Sequence, residues 1–189
     1  MTDAAHKYRY IMKKYTVKFI LVLILTNFLI SGVVLAEVKA LGYVLGKDTY
    51  KRIKSNTNGL KNIGINKYSH GKMLEGLGTN WNIQGLRNAT LIFDENDKLS
   101  VLMLSMDKSY FDRVTGFLGN KYTLKSKKVP FVGNKSAIFS KDNITIKVNA
   151  PHMSFKMDVI YSTDVFEREF ERISKLETNK KDKHEQSQF

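Results

Sequence analysis

The chain has 189 residues, with 31 Lys and Arg against 18 Asp and Glu, a net charge of +13 and no cysteine. This length fits a single domain. The lack of cysteine excludes disulfides, thiol nucleophiles, cysteine-ligated zinc and a lipid-modified N-terminal cysteine. Hydrophobic residues make up 42% of the chain and charged residues 26%, which is typical of a folded globular protein. None of these counts identifies an activity.

An uncharged apolar run covers residues 19–36 and follows three lysines within residues 13–18. A basic segment, an apolar segment and a small-residue exit are the three parts of a secretory signal peptide. Val34 and Ala36 occupy the −3 and −1 positions for cleavage after Ala36. We therefore predict a signal peptide over residues 1–36. The run also reaches the roughly 18 residues that span a bilayer, so an uncleaved membrane anchor is the alternative.

Both interpretations place residues 37–189 outside the cytoplasm, because positive residues stay on the inner side. We expect a periplasmic or secreted protein, or a single-pass anchored one, and Met12 is an alternative start. After Ala36 the chain has 26 basic and 17 acidic residues, a net charge of +9. We expect its partner to be a protein or an anionic envelope surface rather than a nucleic acid. Membrane contact is expected only if residues 19–36 stay uncleaved.

Short helical patterns alternate with sets of strand patterns after residue 37. Consecutive strands form antiparallel hairpins, so the sequence predicts an α+β fold, with an antiparallel sheet and short helices before, between and after the strand sets. The predicted elements are a helix over 48–54 capped by Asp48 or Thr49, strands near 60–66, 70–78, 86–94 and 98–106, a helix over 108–118 capped by Asp107 or Ser109, strands within 121–127, 136–141, 143–149 and 152–161, and a helix from Asp164.

Two strand patterns carry further predictions. The run over 98–106 is apolar on both faces, which is typical of a central strand, and simple alternation places Leu99 and Val101 on one face. Residues 152–161 alternate between apolar and polar side chains, which predicts a strand with one buried face.

The C-terminal part of the chain changes composition after Glu177. Asp164 and Glu167 are spaced as a variant of the capping box. We predict one α+β domain over residues 37–177. Residues 178–189 contain almost no apolar side chains, so we predict a disordered polar tail there.

The layout of a signal peptide followed by a helix and antiparallel strands, repeated, resembles small bacterial periplasmic proteins of β-lactamase-inhibitor-like or BamE-like architecture. The segment Leu45-Gly46-Lys47-Asp48-Thr49 with Ile53 is similar to the start of the first helix in that group. Residues 56–59 stand where the BamE-like group often has a proline. The resemblance implies a protein-binding or envelope-structural role. Residues 48–53 and 108–114 also echo each other, but this short match does not establish a duplication.

No motif for catalysis, a cofactor or a metal stands out in the sequence, so we expect none of these sites. His152, Ser154 and Asp158 fall on one face of the predicted strand, where parallel side chains about 7 Å apart cannot converge as a triad. The acidic segment 94–97 lacks the spacing of a calcium loop and predicts a hairpin turn.

Lysines cluster in residues 120–141, where there is no acidic residue. The candidate basic patch consists of Lys121, Lys125, Lys127 and Lys128. Such a patch can bind an anionic partner, or its lysines can guard an edge strand against pairing. Trp81, between two asparagines, is a candidate partner anchor or a cap on the edge of the core.

These patterns predict an exported, non-enzymatic protein that recognises a protein or an anionic envelope component. The alternatives are a small exported hydrolase without a recognisable motif and a membrane-anchored envelope assembly factor.

Overall fold

A computed structural model describes residues 37–189. The predicted signal segment, residues 1–36, lies outside the described residues. In chain order the strands and α-helices are β1 (Lys39–Ala40), β2 (Tyr43–Val44), α1 (Tyr50–Asn56), β3 (Lys61–Ile65), β4 (Lys72–Leu77), β5 (Leu86–Phe93), β6 (Leu99–Asp107), α2 (Phe111–Gly119), β7 (Thr123–Lys128), β8 (Lys135–Lys141), β9 (Ile144–Ala150), β10 (Lys156–Thr163) and α3 (Asp164–Gln186). Two short 3-10 helices, Gly78–Asn80 and Lys108–Tyr110, stand before β5 and α2.

The main sheet has eight strands in the order β3-β4-β5-β6-β10-β9-β8-β7, and β1 pairs with β2 in a small second sheet. Every neighbouring pair in the main sheet is antiparallel. The predicted α+β class, with helices before, between and after two sets of strands, is confirmed.

The main sheet consists of two topologically equal halves. In each half a helix is followed by four consecutive antiparallel strands, α1 with β3–β6 and α2 with β7–β10. The last strands of the halves, β6 and β10, pair antiparallel at the centre. The strand order therefore reads the same from either edge, and the short sequence echo of residues 48–53 and 108–114 stands at the start of each half.

One face of the sheet, the helical face, contains the core. A row of paired residues crosses six strands on this face, and each is buried: Leu74, Leu91, Leu102, Tyr161, Ile146 and Phe139. Ile53 of α1 and Phe111 of α2 join the same hydrophobic cluster. Among the described residues, 37–189, the members of this cluster lie between residues 38 and 161, so the sheet and its first two helices share one hydrophobic core.

The opposite face, the outer face, is covered only in part. Phe166 and Phe170 of α3 border an apolar gap of about 240 Å³ above Ile92, Val101 and Ile160. Every residue of α3 remains at least partly exposed. The helix therefore rests on the outer face without being enclosed by it.

Strand β6 is central in the sheet, as predicted. A bulge, however, changes which of its side chains share a face. Ile92 pairs with Val101 and Phe93 pairs with Leu99, so Ser100 is an extra residue in β6. An extra residue reverses the side on which the preceding side chain lies. The prediction that Leu99 shares a face with Val101 is therefore wrong, and Leu99 packs with Phe93 in the core.

The helix caps and one strand boundary also differ from the predictions. Thr49 caps α1, as predicted, by accepting from the N–H of Arg52. Thr163 rather than Asp164 caps α3, and no side chain caps the start of α2. The predicted strand over 152–161 begins only at Lys156, because residues 151–155 form a loop. Helix α3 continues through Gln186, where composition predicts disorder.

Candidate binding surface

The four lysines of the predicted patch lie along the edge of the sheet. Strand β7 is the edge strand and is exposed throughout, and Lys121 precedes it by two residues. Lys125 is the extra residue of a bulge opposite β8. A six-residue strand is roughly 20 Å long, so Lys121 and Lys128 stand at opposite ends. The four lysines form a line and not a compact cluster.

Two of these lysines point in opposite directions. Lys127 pairs with Ala137 on the helical face, where its Nζ lies 3.3 Å from Thr115 Oγ1. Lys128 pairs with Ser136 on the outer face and is exposed. At the end of the strand, Lys127 therefore contacts α2, whereas Lys128 extends from the opposite face.

Trp81 does not belong to this lysine line. Five strands separate β4, beside Trp81, from β7, which carries the lysines, and this is about 29 Å at ordinary strand spacing. Trp81 is half-buried, its indole Nε1–H donates to the hydroxyl of Tyr43 at 3.1 Å, and it borders a surface cavity of about 530 Å³. Its packing against the core fits the cap interpretation, and its role as a partner anchor stays a prediction.

Two loops at one end of the sheet carry exposed apolar side chains that the sequence patterns did not single out. Residues 129–134 join β7 to β8, and residues 151–155 join β9 to β10. The pairing of Lys135 with Ala150 places both loops at the same end, and we call them the loop pair. Its most exposed apolar residues are Phe131 (105%), Met153 (91%), Phe155 (90%), Val132 (67%) and Val129 (47%).

Hydrogen bonds connect the two loops to each other. The N–H of Gly133 donates to His152 Nδ1 at 3.3 Å, and the N–H of His152 donates to Asn134 Oδ1 at 2.7 Å. Within the second loop, the N–H of Ser154 donates to the carbonyl of Pro151 at 3.3 Å. The loops are thus held in one arrangement while their apolar side chains face solvent.

Lys108 fastens the second loop to the rest of the domain. Its Nζ donates to the carbonyl oxygens of Pro151 and His152, the latter at 3.0 Å. Its backbone N–H donates to the carbonyl of Phe155 at 2.9 Å. These bonds satisfy loop carbonyls that would otherwise need water, and they place a positive charge beside the exposed apolar residues.

The charge around the loop pair is mainly positive. Lys128 and Lys135 flank the first loop and Lys156 ends the second. Asp107 nearby pairs with Arg87 at 2.5 Å. Burial raises the pKa of Asp158, although Lys156 opposes the shift. Lys108, Lys128, Lys135 and Lys156 outnumber the two acidic residues, Asp107 and Asp158.

The histidine and acidic groups considered in the sequence do not converge. His152 and Ser154 lie in the loop, not on a strand face, and Ser154 Oγ bonds to the backbone of Lys156. The segment 94–97 is a hairpin turn, as predicted, with Asp94 Oδ1 accepting from the N–H groups of Asn96 and Lys98. Within residues 37–189 no group of three or more His, Asp and Glu residues could hold a metal ion.

A different prediction for residues 151–155 was available in the sequence. Val129-Pro130-Phe131-Val132 precedes Gly133, and Pro151 precedes Met153 and Phe155. Prolines and glycines indicate turns, so these apolar residues could have been assigned to turns rather than to a strand. The alternation of apolar and polar residues over 152–161 instead favoured a strand.

Comparisons with models of protein families, with curated proteins and with solved structures find no match to this chain. No helix among residues 37–189 is long and apolar enough to cross a membrane.

Proposed function

We propose that residues 37–189 form a non-enzymatic binding domain of an exported protein, which attaches to an anionic surface of the cell envelope. The observation that carries this proposal is the loop pair, where Phe131 and Phe155 are exposed beside Lys128 and Lys156. Export rests on the signal-like pattern of residues 1–36.

The charge of the domain supports an anionic partner. Residues 37–189 have a net charge of +9, and no acidic residue lies within 120–141. Phosphate-rich surfaces such as anionic phospholipids, lipopolysaccharide and teichoic acid attract such a face. The attraction between exposed charges falls as salt shortens the screening length from about 10 Å at 0.1 M to about 3 Å at 1 M.

Co-sedimentation tests the proposal. The unit Glu37–Phe189, first checked for cooperative unfolding, is mixed with anionic vesicles, neutral vesicles or cell-wall material that bears teichoic acid. We expect retention on anionic material at about 0.1 M salt and a strong decrease toward 1 M salt. Retention on neutral vesicles to the same extent, or no retention on any material, would contradict the proposal.

Matched variants locate the surface. We expect the double substitution Lys128→Glu and Lys156→Glu to reduce retention several-fold. Lys175→Glu and Lys180→Glu, on the exposed part of α3, make the same change in net charge away from the loop pair. An equal loss in both double variants would show that only overall charge matters.

A further inference from the structure

The loop pair projects its apolar side chains outward from the end of the sheet. Phe131, Met153 and Phe155 are each exposed by 90% or more. Side chains that line a groove lose part of their exposure to its walls. These side chains therefore form protrusions, and a partner must either surround them or let them enter.

A fluid apolar layer accepts protrusions of any shape, whereas a protein partner needs cavities that match them. Large apolar side chains that accompany lysines are the usual composition of surfaces that lie at a membrane interface. The lysines here stand at the base of the loops, on strand ends, while the apolar residues stand on the loops themselves. This order matches a bilayer, in which the lysines would meet the outer phosphates while the apolar side chains reach the hydrocarbon layer.

Part of the loop backbone already has hydrogen-bond partners within the protein, which matters near the apolar layer of a membrane. A polar group that enters an apolar layer without a partner is costly. The N–H groups of Gly133, His152 and Ser154 are already bonded within the loop pair, and Lys108 supplies donors to three carbonyls of the second loop. These bonds satisfy part of the backbone, mainly in the second loop, so the proposal requires entry of the side chains and not of the whole loop backbone.

We propose that the loop pair inserts Phe131, Met153 and Phe155 into an anionic phospholipid bilayer, while the neighbouring lysines contact the phosphates. This inference rests on the proposed function and specifies its partner. It also provides a membrane contact that does not depend on residues 19–36.

The absence of cysteine from the chain makes a direct test available. Single-cysteine variants of the full chain, Phe131→Cys and Phe155→Cys, are labelled with a fluorophore that responds to polarity. Val165→Cys and Leu176→Cys are the controls, because both residues are exposed on α3. The labelled proteins are mixed with phosphatidylglycerol-containing vesicles, with and without brominated acyl chains.

Insertion predicts a blue shift and quenching by the brominated chains at positions 131 and 155, with little change at 165 and 176. Equal responses at all four positions, or none at 131 and 155, would overturn it. A blue shift of the labels at positions 131 and 155 in the presence of lipid-free envelope protein, but not of vesicles, would also overturn insertion, because the partner would then be a protein. Each labelled variant is also checked for native circular dichroism, and Met153→Cys replaces any variant that fails.

A second measurement separates this inference from the proposed function. In the unit Glu37–Phe189, Phe131→Ser with Phe155→Ser should lower vesicle affinity about tenfold or more, since each side chain loses its transfer to an apolar layer. Val165→Ser with Leu176→Ser should leave it unchanged. If the affinity survives and the labels stay in water, attachment is by charge alone and only the insertion fails. If no anionic material retains the unit, both proposals fail.

Discussion

The indole of Trp81 donates a hydrogen bond to the hydroxyl of Tyr43 at 3.1 Å, and the two rings meet edge to face at a centroid distance of 6.4 Å. The same hydroxyl lies 2.7 Å from Thr57 Oγ1. This series of hydrogen bonds joins three parts of the domain: β2, the end of α1 and the connection between β4 and β5. Trp81 thereby fixes the small sheet and α1 against the edge of the core.

Replacing Tyr43 by Phe should destabilise the domain by about 1 kcal/mol, because the indole N–H and the Thr57 hydroxyl lose a partly buried partner. Trp81 is the single tryptophan of the chain, so its emission reports the same site. Urea unfolding followed by Trp81 fluorescence measures the loss of unfolding free energy in the Tyr43→Phe variant. The control is Tyr50→Phe, whose hydroxyl receives only a 3.4 Å contact from Asn62 at the surface. Equal stability in the two variants would contradict the prediction.

Local patterns predicted most of the strands. Ile144, Ile146 and Val148 alternate with polar residues and are buried on the helical face. The turn at Asp94 was also predicted, because a carboxylate that accepts from nearby N–H groups needs only its own neighbours. These features depend on interactions within a few residues, which the sequence expresses directly.

Features that depend on distant contacts were not predicted. The bulge at Ser100 is set by the pairing of β6 with β5, and no local pattern indicates it. The loop pair depends on bonds between His152 and residues 18 or more positions away. For the same reason, the sequence identified Lys125 and Lys127 by charge but did not show that Lys127 packs against α2.

Two glycines should respond oppositely to substitution by alanine. A Cβ on Gly78 would lie 1.9 Å from the carbonyl oxygen of Leu86, whereas a Cβ on Gly116 meets nothing within 4 Å. Gly78→Ala must displace backbone and should cost about 3 kcal/mol or more of unfolding free energy. Gly116→Ala lies within α2 and should gain about 0.5–1 kcal/mol from helix propensity. Urea unfolding checks both, and a tolerated Gly78→Ala would contradict the close approach.

The two ends of α3 should differ in stability. The first turns contact the outer face through Phe166 and Phe170, and Glu177 pairs with Lys67 at 2.9 Å. Beyond Glu177 every residue is exposed. Isolated short helices are marginal in water, so we expect fast hydrogen exchange over residues 178–186 and slow exchange at the start of α3.

Phe166→Ala with Phe170→Ala provides the comparison for this prediction. Without the aromatic contacts, fast exchange should extend to the first turns of α3, while the strands stay protected. Uniform protection along the whole helix in the unmodified protein would contradict the expectation.

Tyr161 should make the domain sensitive to alkali. Its side chain is buried in the core, and this burial raises the pKa of Tyr161 well above its usual value, with Tyr122 adding to the shift. The folded state therefore keeps a proton that the unfolded state loses near pH 10. The stabilising contribution is complete below about pH 10 and decreases as pH rises toward the folded-state pKa, by at most about 1.4 kcal/mol per pH unit. Urea unfolding of the protein and of Tyr161→Phe between pH 8 and 11 tests this, since the variant should lose part of the alkaline slope. Identical slopes in the two proteins would assign the alkaline sensitivity to other groups.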